Sequence, residues 1–224
     1  MLRTFESELL KKTFDFWDKL SLRERDTLLA HTSSVSYEQG EILYDATHSC
    51  LGVLIVKSGE LRTFILSENG KEVTLYRLTP GEVCILSASC MLHQITFDVC
   101  IEAEKPCEVL LVDSVYFTNL IEQNIYAENF SLKVASDKFS EVMWTMEQIL
   151  LMNFDQRLAV FLLDEASKAG SETIELTHEQ IAKYMNSARE VVSRMMKYFE
   201  KEGFVSLCRG KVEIVDKPGL KKLL

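Results

Sequence analysis

Arg189, Glu190, Ser193, Arg194 and Lys197 recur at intervals of three and four residues, which on a helix places them on one face. Arginine carries a planar fork of donors, glutamate accepts, and serine does both. Such a face can bond base edges in a groove wide enough to admit a helix. Val191, Val192, Met195 and Phe199 form the opposite, apolar stripe. Solvated charge is the ordinary meaning of this pattern, but two features favour recognition. Groups able to bond bases stand side by side, and residues 183–222 hold ten basic against five acidic residues while the whole chain has a net charge of −9. Basic charge is gathered where phosphates would lie.

Two capped helices would hold this face. Thr177 and Gln180 have the spacing of a reciprocal capping box, and Ile181, Ala182 and either Tyr184 or Met185 give that helix its inward side. Ser187 and Glu190 repeat the signature, so the turn is confined to Met185, Asn186 and Ser187, and the second helix runs to a stop at Gly203. Phe204–Leu207 and Lys211–Val215 read as strands around Arg209 and Gly210. The layout is a winged helix-turn-helix, with Thr177, Ser187, Arg209 and Lys211 added to the nucleic-acid-facing candidates.

The preceding chain has two other periods. Residues 4–31 read as helical, with Leu9, Leu10, Phe14, Trp17 and Leu20 on one side and Ser21 capping a second piece through Glu24. From Ser34 to Val112, short runs are broken at Gln39-Gly40, Ser58-Gly59, Asn69-Gly70, Pro80-Gly81 and Lys105-Pro106, the spacing of a β-sandwich or jelly roll. Gly52–Arg62 and Glu72–Leu78 form a hairpin around Asn69-Gly70. Ser114 is placed to cap a short helix, and a long one follows over 126–152. Phe139, Val142 or Met143, Met146, and Ile149 or Leu150 give it a coiled-coil seam. That seam suits either internal core or a two-fold partner, and a helix-turn-helix that must reach two half-sites favours the dimer. Asn153 and Asp155 mark a hinge, after which Leu158, Phe161 and Leu162 back the reading unit. The fold class is α+β: residues 1–125 a β-roll, 126–153 the dimerisation helix and hinge, 154–224 the winged helix-turn-helix.

With 224 residues, 47% of them hydrophobic, the chain has enough apolar mass for two modest domains. It has no long apolar run, and its N-terminus lacks a signal-peptide core, so a cytoplasmic protein without a membrane partner is expected. Cys50, Cys84, Cys90, Cys100, Cys107 and Cys208 are then reduced thiols. GxxxxGK, GxSxG and HExxH are absent, and His31, His48, His93 and His178 have no metal-ligand spacing. A cupin-like metal enzyme is disfavoured on those grounds. A dimeric ligand-binding module without DNA binding is the other alternative.

In this order of parts the chain resembles the CRP/FNR superfamily of bacterial transcription regulators. The most specific likeness is SAREVVSR, where Glu190, Ser193 and Arg194 match the Glu-x-x-Ser-Arg motif of the fumarate and nitrate reduction regulator branch. Arg189 adds the Arg-Glu start of the cyclic AMP receptor branch. The resemblance implies that Arg194 meets a guanine, Glu190 a cytosine or adenine amino group, and Ser193 a thymine. Arg189 is either a base reader or a phosphate clamp. It further implies a homodimer, a palindrome of TTGAT-like half-sites, double-stranded DNA and RNA polymerase as partners, an activator's role, and an effector at the roll.

The likeness also implies a cyclic-nucleotide cassette after Gly81-Glu82, with an arginine for the phosphate. Here it reads GEVCILSASCMLHQITFDVC, and no arginine occurs from Leu78 to Gln156. Cyclic AMP is disfavoured, and Glu82, which the resemblance would offer as a ribose ligand, reads instead as structural. The iron-sulfur cluster of the oxygen-sensing branch needs N-terminal cysteines, whereas none precedes Cys50. Cys84 and Cys90 are either redox or soft-metal sensors or plain core thiols, and His93 is a weak metal or haem candidate.

Overall fold

A computed structural model describes residues 4–45, 51–85 and 99–224. They form two compact units: the described residues up to 71 together with those between 75 and 142, and 143–224 with the short segment 72–74.

The first unit is built on two long strands. β3 (Gly52–Leu66) pairs antiparallel with β6 (Cys100–Asp113), flanked by β1 (Thr32–Tyr37) on β6 and β4 (Glu72–Leu78) on β3. β2 (Ile42–Tyr44) and β5 (Val83–Cys84) pair with β6 and β3 to complete an antiparallel sheet. Ser58-Gly59 and Lys105-Pro106, expected as turns, instead lie within β3 and β6, where the register shifts. Gly59 has φ +83°, and a Cβ there would stand 2.4 Å from the Pro106 carbonyl oxygen. The glycine permits the two strands to cross closely at a bulge instead of ending them. The Asn69-Gly70 turn joins β3 to β4, closed by Ser67 N–H donating to Lys71 O at 2.9 Å.

The expected N-terminal helix is three pieces: α1 (Thr4–Thr13), a 3-10 turn at Trp17–Lys19, and α2 (Leu22–Ala30), which carries the Ser21–Glu24 capping box. α3 (Ser114–Gln123) is capped by Asp113, not Ser114, because the Asp113 carboxylate accepts from Tyr116 N–H at 2.8 Å. α4 (Ile125–Leu151) follows at once. Phe14, Phe16, Phe117 and Phe130 stack against one another, with the Phe14–Phe130 centroids 5.3 Å apart edge to face. Aromatic pairs of this geometry add to the burial of their area and fix α1, α3 and the start of α4 over Val53, Ile55, Leu110 and Val112. A second cluster, including Leu54, Leu61, Leu78 and Val109, fills the other face.

One polar cluster is sunk in this apolar unit. Arg62 is fully buried, hydrogen-bonded to Glu102 at 2.8 Å and ion-paired with Glu104 at 3.0 Å, with its guanidinium 4.0 Å from the Phe64 ring centroid. A buried arginine requires such partners, since desolvation without them costs more than the fold can supply.

In the second unit, α5 (Phe154–Ala169) ends at Gly170, whose φ of +60° makes a left-handed cap. Next come β7 (Thr173–Ile174), α6 (His178–Tyr184), α7 (Arg189–Lys201), β8 (Val205–Cys208), β9 (Lys211–Ile214) and α8 (Lys217–Lys221). The sheet order is β7-β9-β8. Leu158 and Leu162 of α5 pack with Ile181, Val192, Met196 and Phe199, and Phe161 is half-buried beside them.

Candidate nucleic-acid interface

Thr177 and Gln180 form the capping box in both directions, at 3.2 Å into the threonine hydroxyl and 2.9 Å back from the Thr177 amide. Ile181, Ala182 and Met185 are buried, with Tyr184 at the margin. α6 ends at its C-cap Met185, and Asn186 follows with φ +54°, a left-handed conformation asparagine tolerates better than most residues. Arg157 of α5 donates to the Met185 carbonyl at 2.5 Å, which ties the turn to the supporting helix.

The second capping box does not form. Ser187 donates its amide to Ala182 O at 2.9 Å and remains inside the turn, while Ala188 occupies the N-cap position without a side-chain bond. Left-handed Asn186 adds a residue to the turn, so α7 starts at Arg189 and Glu190 is one position too early to reach back. Of the expected inward stripe, Val192 and Phe199 are fully buried, Val191 and Met195 are half-buried, and Met196 takes the buried place expected for Met195.

On the outer side of α7, Arg189, Glu190, Arg194, Lys197 and Lys201 are exposed and Ser193 is half-exposed. Four cationic side chains, Glu190 and Ser193 thus share a helical surface, with Tyr198 exposed beside them. The β8–β9 hairpin turns at Arg209-Gly210, with Gly210 at φ +73°, and presents Cys208, Arg209 and Lys211 to solvent.

The start of α6, Arg189 and this hairpin enclose a groove of about 460 Å³. Arg189 Nε lies 3.6 Å from Glu179 Oε2, and Lys211 is paired with Glu175. His178 lies between them; burial, then the Arg189 and Lys197 charges, hold its pKa below the usual value. Glu175 and Glu179 were not singled out from the sequence, and His178 was weighed there only as a metal ligand, because an isolated carboxylate or imidazole has no periodicity to mark it.

On the roll, Gly81 and Glu82 line a cleft of about 380 Å³ with Lys12 of α1 and Lys138 and Glu141 of α4. Glu82 Oε2 accepts from both the amide and the hydroxyl of Thr79, at 2.7 and 2.8 Å, and Oε1 faces Lys138 Nζ at 3.4 Å. Burial raises the Glu82 pKa, but the Thr79 bonds and Lys138 outweigh it and leave the value lowered. Cys84 is buried on β5 against the Tyr76 phenol. Cys90, Cys50, His48 and His93 lie outside the described residues. Cys84, Cys100, Cys107 and Cys208 are not in disulfides, and among the described residues no group of three or more His, Cys, Asp or Glu is placed to hold a metal.

On α4, Phe139, Met143, Met146, Ile149 and Leu150 are exposed, with Phe139 at 66% and Leu150 at 73%. Val142 is half-buried against the roll's second cluster, so Met143 is the outward member of that pair. No helix among the described residues is long and apolar enough to cross a membrane.

The family description "Crp-like helix-turn-helix domain" matches residues 156–223, and "Cyclic nucleotide-binding domain" matches 34–124. A CRP/FNR-family regulator from Eubacterium rectale superposes with a TM-score of 0.87 at 38% identity, over 95% of this chain and 98% of that one. The transcriptional regulatory protein btr of Bordetella pertussis is 26% identical over 202 residues, 85% of this chain and 80% of that protein. The anaerobic regulatory protein of Haemophilus influenzae is 26% identical over 200 residues, 83% and 74% of the two chains.

Proposed function

The chain belongs to the CRP/FNR family of transcription regulators, and we propose from that premise that it is a homodimer reading a palindrome of TTGAT-like half-sites under control of an effector or redox signal received by the roll. The observation that carries this reading is the exposed face of α7, where Glu190, Ser193 and Arg194 stand at the spacing of a base-reading motif over a fully buried stripe. Arg194 donates to guanine, Glu190 accepts an exocyclic amine, and Ser193 meets thymine; Thr177, Ser187, Lys197, Arg209 and Lys211 contact the backbone.

In this reading residues 1–125 sense, 126–153 dimerise and 154–224 bind DNA. The exposed seam of α4 supports the dimer, since two copies would bury it and place two reading heads about 34–36 Å apart. The Glu82–Lys138 contact joins the turn before β5 to α4, so a ligand that competes for either group has a route to the dimer helix. Cyclic AMP does not fit this role: the carboxylate that should hold its ribose is engaged by Thr79 and Lys138, and residues 78–156 offer its phosphate no arginine.

Fluorescence anisotropy with a TTGAT palindrome and a scrambled duplex tests the reading. Arg194→Ala should lose about 1–3 kcal/mol of discrimination, roughly 5- to 150-fold, while keeping the wild-type oligomeric state. Undiminished sequence preference in that variant rejects the assignment.

A further inference from the structure

Arg189 and Arg194 both project from α7, but they serve different surroundings. Arg194 stands on the open outer face, whereas Arg189 lines the groove closed on its other side by Arg209, Gly210 and Lys211. Three cationic side chains from two separate elements therefore converge on one cavity. Two of them are already satisfied by carboxylates: Arg189 by Glu179 at 3.6 Å, and Lys211 by Glu175. Arg189 is 66% exposed and Glu179 74%, so water screens their attraction and another anion can displace the carboxylate cheaply.

Building on the DNA-binding reading, we propose that Arg189 is a phosphate clamp and not a base reader: it and the Arg209–Lys211 hairpin seat one DNA backbone phosphate, whose oxygens replace the Glu179 and Glu175 carboxylates. A guanidinium fork matches two phosphate oxygens, and Lys211 adds a point charge from the opposite wall. Glu179 holds Arg189 over the groove before DNA arrives. Once the phosphate is seated, both carboxylates lie near a like charge, so they restrain the sequence-independent part of the affinity.

The experiment measures binding of the full-length protein to the TTGAT palindrome and a scrambled duplex over a range of salt concentration. Arg189→Ala should weaken both duplexes by the same factor, on the order of 5- to 20-fold, and flatten the salt dependence by about one charge per half-site. Arg189→Lys should keep the slope and recover part of the affinity. Glu179→Gln and Glu175→Gln should tighten both duplexes a few-fold. If Arg189→Ala leaves scrambled binding and the salt slope unchanged but erases preference at one base pair, Arg189 reads a base and the proposal fails. A wild type that binds both duplexes equally would reject the reading motif alone, because the Arg189→Ala effect on the scrambled duplex still decides the clamp. Failure of the wild type to bind either duplex rejects both.

Discussion

Lys138 of α4 points its ammonium at Glu82, 3.4 Å away, and its other carboxylate partner, Glu141, is on its own helix at 2.8 Å. The residue that the family resemblance offers as a ribose ligand is therefore committed to protein groups. Its pKa is lowered despite burial, so the folded state binds fewer protons than the unfolded chain around pH 4. The stabilisation is complete above the unfolded carboxyl pKa and is lost as pH falls through the lower folded value. Glu82→Gln should lower the melting temperature by a few degrees at pH 7, with the gap from wild type closing as pH falls below about 4.5. Paired thermal melts at both pH values check it, and an equal gap throughout would mean that the charge is irrelevant.

The thiols can be ranked by accessibility. Cys208 is exposed on the hairpin, whereas Cys84 is buried and Cys107 is buried with its pKa raised to about 11, first by desolvation and then by Glu41. Reaction requires an accessible thiolate. Brief native treatment with iodoacetamide, read by peptide mass spectrometry, should label Cys208 well before Cys84 and Cys107. Early labelling of Cys84 would restore it as a sensor candidate.

An apolar seam left in water has a measurable consequence. Phe139 and Met146 lie seven residues apart on α4 and are both exposed, so substituting either disturbs little within one copy. Across a two-fold axis each introduced charge meets its own image. Phe139→Glu and Met146→Glu should therefore give monomers at micromolar concentration by light scattering, with the helical circular dichroism retained and operator affinity down at least 100-fold. Dimers in both variants would mean that the seam is not the interface.

What was legible in the sequence is what repeats locally. The Thr177–Gln180 box, the exposed polar face of α7 and the hairpin at Arg209-Gly210 all follow from spacing or turn chemistry, and the structure has them in place. Long-range events were not legible. Ser58-Gly59 and Lys105-Pro106 have the composition of turns, yet the two segments face each other across a bulge that only the β3–β6 pairing defines. The Arg62–Glu102 pair is written on strands 40 residues apart. Met196 in place of Met195 on the buried stripe reflects how α7 packs against Leu158, Leu162 and Ile181, which the helical period alone does not fix, and the start of α7 at Arg189 follows a left-handed residue, Asn186.

That same residue makes a clean test of the reading face available. Ser187 and Glu190 would be confounded probes if they capped α7, because their loss would unfold the helix they present. Since the N-cap is Ala188, neither supports α7 in that way. Thr177→Ala, which removes a real cap, should cost about 1 kcal/mol in urea unfolding of the whole chain. Ser187→Ala and Glu190→Gln should each stay within about 0.5 kcal/mol of wild type, since Glu190 is exposed and half-buried Ser187 caps no helix. On DNA the order reverses. Glu190→Gln should relax preference at the base pair whose amine it accepts, while Ser187→Ala should weaken all duplexes a few-fold. A stability loss in Ser187→Ala equal to that of Thr177→Ala would show that the second capping box forms in solution after all.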